Sequence, residues 1–249
     1  MFQSLQEDLL YLKDHHNLVA IKAGTEVEAM NFDEIHEMRA VSLHIVPMTT
    51  KIGGPEARND MTFMISHGID MILAPMIESD YGLKNFINAA RQLDSGETLL
   101  AVNIETITAY NNLDSMMKLP EFNYLHQITV GRSDLSASMG KEVNDREVLA
   151  VTSDIIRRVR ARGIRTSVGG KVTPLNAGTV KKEINPDSVN TRHMVIGCSS
   201  RQIAIDITAA LEWEMKFYRF LYDKYPQRRS FYEERIVSIE QRNTCPLIA

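Results

Sequence analysis

Glu105 in LLAVNIET and Asp134 in ITVGRSDLS are the residues whose type and placement first suggest chemistry. Each follows a short apolar run that reads as a buried strand, so each carboxylate should sit where a strand ends and a loop begins. Hard divalent cations take oxygen ligands, and Mg²⁺ is often held by one or two carboxylates, with substrate and water completing its shell. Two acids delivered by neighbouring βα units would supply that set. The pairing points to a metal-assisted enzyme that uses Mg²⁺, Mn²⁺ or another divalent cation.

Other polar residues fall at the same level, at or just beyond strand ends: Lys22 and Glu26, Lys51, Glu78, Asn103, Arg132, and Gly169-Gly170-Lys171. Several cations and acids at one level suggest a shared site, although each has a plainer reading. Lys51 opens KIGGPEARND, where Gly53 and Gly54 let backbone amides approach an anion, or simply make a tight turn. Glu78 in APMIES could orient a ligand or cap the next helix. Gly169 and Gly170 could cradle a carboxylate or allow close packing. None of the seven histidines has a metal-binding spacing; His15-His16 reads as a surface pair and His193 as a strand residue.

Seven apolar runs would position these residues: 18–24, 43–51, 71–78, 99–105, 128–131, 165–170 and 193–197. Their starts lie about 25 to 37 residues apart, the length of a strand, a helix and two short loops. Runs buried on both faces indicate a parallel sheet covered by helices. Gly68, Gly96 and Gly163 stand just before strands, where a helix C-terminus needs a residue tolerant of positive φ. Ser79 and Asp145 are candidate N-caps. The series predicts a TIM-type (β/α)8-like barrel over residues 1–198, with an eighth strand hidden in 25–42 or an incomplete barrel.

From Ser199 the pattern becomes helical, so residues 199–249 are expected to form a C-terminal arm. Ile203, Ile207, Leu211, Met215 and Tyr218 recur at helical spacing, Pro226 ends that helix, and Ser230 with Glu233 marks a second helix over 231–243. Its aromatic residues Trp213, Phe217, Tyr218, Phe220 and Tyr222 suggest packing on the barrel and on a neighbouring subunit of a homo-oligomer.

Composition sets bounds on partners. In 249 residues the net charge of −4 gives no support for nucleic-acid binding, and the basic stretch 157–165 sits at a helix end where cations complement the dipole. Cys198 and Cys245 are too few for a disulfide framework. The N-terminus lacks a long apolar core, so neither a signal peptide nor a membrane span is expected, and the location expected is cytoplasmic.

PMIES (75–79), NIET with AYNNLD (103–114) and VGRSDLSASMG (130–140) resemble the HpcH/HpaI aldolase and citrate lyase β-subunit family. The resemblance implies a barrel that holds a divalent cation through Glu105 and Asp134. It further implies that Asn103 faces the site and that the turn from Ser133 to Ser136 lends amides to a substrate carboxylate. The expected reaction is carbon–carbon bond cleavage or condensation of a pyruvate- or oxaloacetate-like 2-oxo acid with an aldehyde or acyl partner, through a metal-stabilised enolate.

Two departures from the family pattern stand out. Lys51 occupies the place of an arginine, and the Gly-Glu-His motif that supplies the acid/base histidine is missing, with Glu26 and Glu28 nearest to it. In this reading Lys51 and Arg132 add positive charge to the site, and Glu26 ranks ahead of Glu78 and a metal-bound water as general base. The alternatives are a Schiff-base aldolase using Lys22, Lys51 or Lys171, and a silent barrel that binds a small acid or serves as a scaffold.

Overall fold

The computed structural model describes residues 1–94 and 96–243, in which eight strands close into a barrel in chain order. They are β1 (Leu18–Gly24), β2 (Met48–Lys51), β3 (Met71–Ala74), β4 (Leu99–Ile104), β5 (Leu125–Gly131), β6 (Arg165–Gly169), β7 (Ser188–Asn190) and β8 (Met194–Gly197). Neighbours from β1 to β7 are parallel, whereas β8 is antiparallel to both β7 and β1. This is a TIM-type α/β barrel with one reversed strand.

The helices on its outside are α1 (Phe2–His15), α2 (Phe32–Ser42), α3 (Arg58–Ser66), α4 (Asp80–Leu93), α5 (Ile107–Asn111) and α6 (Leu113–Met116). They continue with α7 (Arg132–Ser138), α8 (Arg146–Arg160), α9 (Pro174–Ile184), α10 (Ile203–Lys224) and α11 (Arg229–Asn243). No helix among the described residues is long and apolar enough to cross a membrane.

The eighth strand is not in 25–42, which holds α2, a helix with an Asn31–Glu34 capping box. It is β7, whose short sequence Ser-Val-Asn carries no apolar run. Its polar side chains are satisfied inside the barrel instead: Ser188 Oγ donates to Ser167 Oγ at 2.9 Å, and Ser167 Oγ to Asn190 Oδ1 at 2.8 Å. Hydrogen bonds make the burial of those groups tolerable, and a search for apolar runs passes over such a strand.

Local signals otherwise place the elements. Ser79 caps α4 by accepting from Gly82 N, whereas Asp145 precedes α8 but accepts instead from Glu142 N. Gly68 (φ 63°) and Gly163 (φ 74°) take the left-handed conformation between a helix and the following strand. The basic residues ending α8 are engaged with Asp154, Asp114 and Asp187, so they are structural.

α10 lies between α1 and α9, and α11 folds back on α10. The stripe Ile203, Ile207, Leu211 and Tyr218 is buried within the chain. Trp213 is buried too and donates to Leu5 O of α1 at 3.1 Å, and Phe217 stacks on it. These three aromatics are consumed internally, so they do not supply the subunit surface that the sequence suggested. α11 begins at Arg229, so Ser230 lies inside it and caps nothing. Glu34 holds this helix, accepting from Arg228 and from the Tyr232 hydroxyl. His16 is no free surface residue, since its Nδ1 meets the buried Asp206 at 2.9 Å. Cys245 and the end of the arm lie outside the described residues.

Candidate active site

The C-terminal ends of the parallel strands open into a cavity of about 540 Å³, within the usual size of a small-molecule site. Its wall includes Lys22, Glu28, Lys51, Asn103, Glu105, Thr129, Asp134, Gly169, Gly170, Lys171, Arg192 and Arg242. Because β8 is reversed, the β7–β8 turn also lies at this end and brings Arg192 into the same wall.

On the β4–β5 side, Glu105 is only 2% exposed. Its Oε1 accepts from Met76 N at 2.9 Å and its Oε2 from Asn103 Nδ2 at 2.8 Å. Met76 takes a left-handed φ of 52° in the β3 loop that presents this amide. Gly131 leaves room for the carboxylate, since a Cβ there would stand 2.5 Å from Glu105 Oε2. Burial pushes the Glu105 pKa up; the Met76 amide and Lys51 oppose the rise, and Asp134 adds to it. Asp134, in the first turn of α7, is exposed to the cavity and makes no hydrogen bond or ion pair among the described residues.

On the β1–β2 side the charges are matched. Glu28 is 3% exposed and bridges Lys22 Nζ at 3.1 Å and Lys51 Nζ at 3.4 Å. Burial opposes its ionisation, but Lys22 and then Lys51 overcome this and hold its pKa at about 2. Burial works against the Lys51 ammonium in turn, yet Glu28 and Glu26 raise its pKa above the usual lysine value. Gly24 makes the space, because a Cβ there would meet Glu28 Oε2 at 2.5 Å. A turn with Ala29 at φ 53°, closed by Met30 N on Gly24 O, folds Glu28 back over the strand end.

Four residues expected at the site lie elsewhere. Arg132 is fully buried, and its guanidinium donates to Gly170 O (2.8 Å), Gly169 O (3.3 Å), Val143 O and Asn144 Oδ1. It clamps the β6 loop to α7 and does not reach the cavity; burial lowers its pKa to about 10. Ser136 Oγ is turned back to Ser133 O. Glu78 accepts from Thr106 Oγ1 and so ties the β3 loop to the β4 loop. Glu26 pairs with Lys51 from beyond the cavity wall. Gly169 and Gly170 do line the cavity, but Gly170 (φ 88°) is needed for packing, since a Cβ there would stand 2.5 Å from Ser133 N.

Glu105 and Asp134 fit the divalent cation expected of them. The donors are oxygens only, Asp134 lacks a cation of its own, and Asn103 Oδ1 is buried without a donor. No group of three or more His, Cys, Asp or Glu side chains placed to hold a metal ion occurs among the described residues, so protein side chains alone would not complete a coordination shell. The set therefore suits an ion whose shell is completed by water and substrate.

Residues 34–170, more than half of the chain, match the sequence profile of the HpcH/HpaI aldolase/citrate lyase family. The chain belongs to that family. Among solved structures it is similar to a HpcH/HpaI aldolase/citrate lyase family protein from Burkholderia cenocepacia J2315, with a TM-score of 0.60 and 12% identity over 76% of this chain and 82% of that one. A HpcH/HpaI aldolase from Desulfitobacterium hafniense DCB-2 gives 0.58 and 13% over 74% and 79%. The citrate synthase SbnG gives 0.53 and 15% over 66% and 72%. At these identities the likeness is one of fold. No curated protein sequence matches the chain.

Within this aldolase/citrate lyase barrel, Glu28, Thr129, Asn190, Arg192 and Arg242 also line the wall, and none stands in a pattern that marks a site in the sequence. Lys22 had the right strand-end position, and Glu28 was noted only for its nearness to a missing motif. Arg192 carried no signal, because a parallel eighth strand would have put its start at the opposite end of the barrel. His193 is buried beneath this wall: its Nδ1 meets Lys22 O at 2.8 Å and its Nε2 meets the Tyr218 hydroxyl at 2.6 Å. A carbonyl only accepts, so Nδ1 carries the proton. Burial lowers the ring's pKa to about 4, so it braces β1 as a neutral imidazole.

Proposed function

We propose that this family member is a divalent-metal-dependent carbon–carbon lyase or aldolase acting on a pyruvate- or oxaloacetate-like 2-oxo acid with an aldehyde or acyl partner. The observation that carries this reading is the combination of Glu105 and Asp134, two carboxylates without a protein cation dedicated to them, with a buried, protonated Lys51 in one cavity. Glu105 and Asp134 would hold Mg²⁺ or a similar ion, which supplies Lewis acidity toward the keto oxygen of the substrate.

Lys51 places a fixed positive charge where the substrate carboxylate and developing enolate need one, and Glu28 keeps it oriented and charged. Asn103 fixes Glu105 through Nδ2 and leaves Oδ1 to accept a hydrogen bond from substrate or water. Glu28 stays ionised between two lysines and is too weak a base to take a proton near neutrality. Glu26, half-buried beyond the cavity wall and joined to Lys51, is the carboxylate left for acid/base work, acting through Lys51 or a water in the cavity. The raised pKa of Lys51 speaks against its use as a Schiff-base nucleophile, which needs a free amine.

Exchange of the pyruvate methyl hydrogens for deuterium, followed by NMR, tests the enolate half-reaction without an acceptor. Exchange is expected with Mg²⁺ or Mn²⁺ and should stop with chelator, with no adduct trapped by borohydride. Exchange that survives full metal removal, or a trapped lysine adduct, would overturn the reading. A barrel silent toward both pyruvate and oxaloacetate would favour the scaffold alternative.

A further inference from the structure

The opposite end of the barrel holds a second cavity. Along a strand, residues that face the barrel interior alternate with residues that face the helices. Ala20, Thr49, Leu99, Gln127, Arg165 and Ser188 stand two or four places before mouth residues of the same strands, so they face inward near the strand starts. Barrel interiors are usually filled by layers of bulky branched side chains. Alanine, threonine and serine at three of these positions leave the layer unfilled, and a cavity of about 550 Å³ opens there. It matches the mouth cavity in size and falls in the range of small-molecule sites. The two cavities share no lining residue, and Ser167 is fully buried between them, bonded to Ser188 on one side and Asn190 on the other.

The walls of this second cavity are apolar, formed by Val19, Pro47, Met71, Leu99, Ile164 and Val195. Its inner surface is polar and incompletely paired. Thr49 is only 5% exposed, and its hydroxyl makes no hydrogen bond among the described residues. Buried polar groups ordinarily find a partner in protein, water or ligand. Gln127 Nε2 donates to Thr129 Oγ1 at 3.1 Å and Ser188 Oγ donates to Ser167 Oγ, which leaves Gln127 Oε1 and the Ser188 oxygen able to accept. The acids of the wall are already engaged, Asp70 with Arg39 at 2.9 Å and Asp187 with Arg160 at 3.1 Å. Arg165 makes no hydrogen bond or ion pair among the described residues. The cavity therefore carries one uncompensated positive charge beside an apolar wall.

We propose that this cavity is a second binding site, for a monocarboxylic acid whose compact apolar body ends in a hydroxyl. The carboxylate pairs with the exposed Arg165, whose planar fork matches its two oxygens. The body covers the apolar wall, and the hydroxyl accepts from Thr49 and donates to Gln127 Oε1 or Ser188 Oγ. One unmatched guanidinium balances one carboxylate, whereas a phosphate dianion would leave negative charge beside Asp70 and Asp187. The site stands apart from the metal and from the reaction proposed above, so it can be tested without either.

Calorimetric titration with trans-4-hydroxycyclohexanecarboxylate tests the site in the wild type, Arg165→Gln, Thr49→Val and Lys51→Met. The wild type is expected to bind this acid, and to bind its neutral carboxamide roughly 10-fold or more weakly, the scale of one lost charge-assisted hydrogen bond. Arg165→Gln should weaken the acid by a similar factor and level the difference between acid and amide. Thr49→Val should weaken the hydroxy acid several-fold but leave cyclohexanecarboxylate almost unchanged, which separates a lost contact from a damaged fold. Lys51→Met, altered only at the mouth, should bind the acid as the wild type does. No binding by the wild type, or undiminished binding by Arg165→Gln, overturns the site. Loss in Lys51→Met with none in Arg165→Gln would place the ligand in the mouth and overturn it as well. Acid and amide bound equally by the wild type would remove the carboxylate from the proposal.

Discussion

The two sides of the barrel mouth solve the same problem in opposite ways. At β1–β2, Glu28 is buried between Lys22 and Lys51, with Glu26 on Lys51 as well, so the chain neutralises its own carboxylates. At β4–β5, Glu105 is just as buried but is held by neutral donors, and Asp134 makes no hydrogen bond or ion pair among the described residues. A buried charge is tolerable only when it is paired, hydrogen-bonded or bound to a metal. The first side is electrostatically complete, and the second is short of a cation. That difference favours β4–β5 as the place of the proposed metal more sharply than the count of acids does.

The largest effect should come from the side that is short of charge. Glu105→Ala or Asp134→Ala is expected to abolish Mn²⁺ binding by calorimetry and pyruvate exchange with it, while circular dichroism stays native. Asn103→Ala, which removes a partner of a ligand, should weaken Mn²⁺ by the smaller ~10–100-fold typical of such supports. Unchanged affinity in Glu105→Ala would erase the contrast between the two sides.

The complete side should respond to charge and not to metal. Lys51→Met is expected to lower pyruvate exchange by roughly 10²–10³-fold, the scale of one lost oxyanion donor, and Lys51→Arg to retain part of the activity. Manganese affinity should change little in either. Equal and complete loss in both variants would return the lysine to a nucleophilic role.

The same contrast explains what the sequence could tell. Glu105 follows β4 directly and Asp134 stands three residues past the end of β5, so a strand-end reading finds them. The barrel was legible from the βα period, except for β7, whose Ser-Val-Asn is buried by hydrogen bonds between polar side chains. Glu28 was hidden because a turn through Ala29 folds it back onto Gly24, and no local pattern announces where a loop residue will land. Arg192 was hidden by the reversal of β8. Arg132 misled for the converse reason: its place after β5 was right, but unpaired backbone carbonyls of the β6 loop captured the guanidinium.

The smallest effect, and the most direct test of the contrast, is on stability in the absence of metal. Glu28 has its pKa lowered to about 2 from an ordinary value of 4.5. A carboxylate with a depressed folded-state pKa stabilises the fold above its unfolded value and loses that contribution as pH falls through the folded one. The depression corresponds to a few kcal/mol at ~1.4 kcal/mol per unit, so Glu28→Gln should lower unfolding free energy by about 2–4 kcal/mol at pH 7. The deficit should narrow between pH 4.5 and pH 2, where the wild type loses the same interaction. Glu105→Gln should do the reverse in chelator. It removes a buried charge that has no dedicated cation and can keep hydrogen bonds to Met76 N and Asn103, so stability at pH 7 should be unchanged or higher. Urea unfolding followed by the fluorescence of the buried Trp213 reads both variants. Equal destabilisation by the two substitutions at every pH would mean that the β4–β5 carboxylate is neutralised by the protein after all, and the case for a metal there would lose its physical basis.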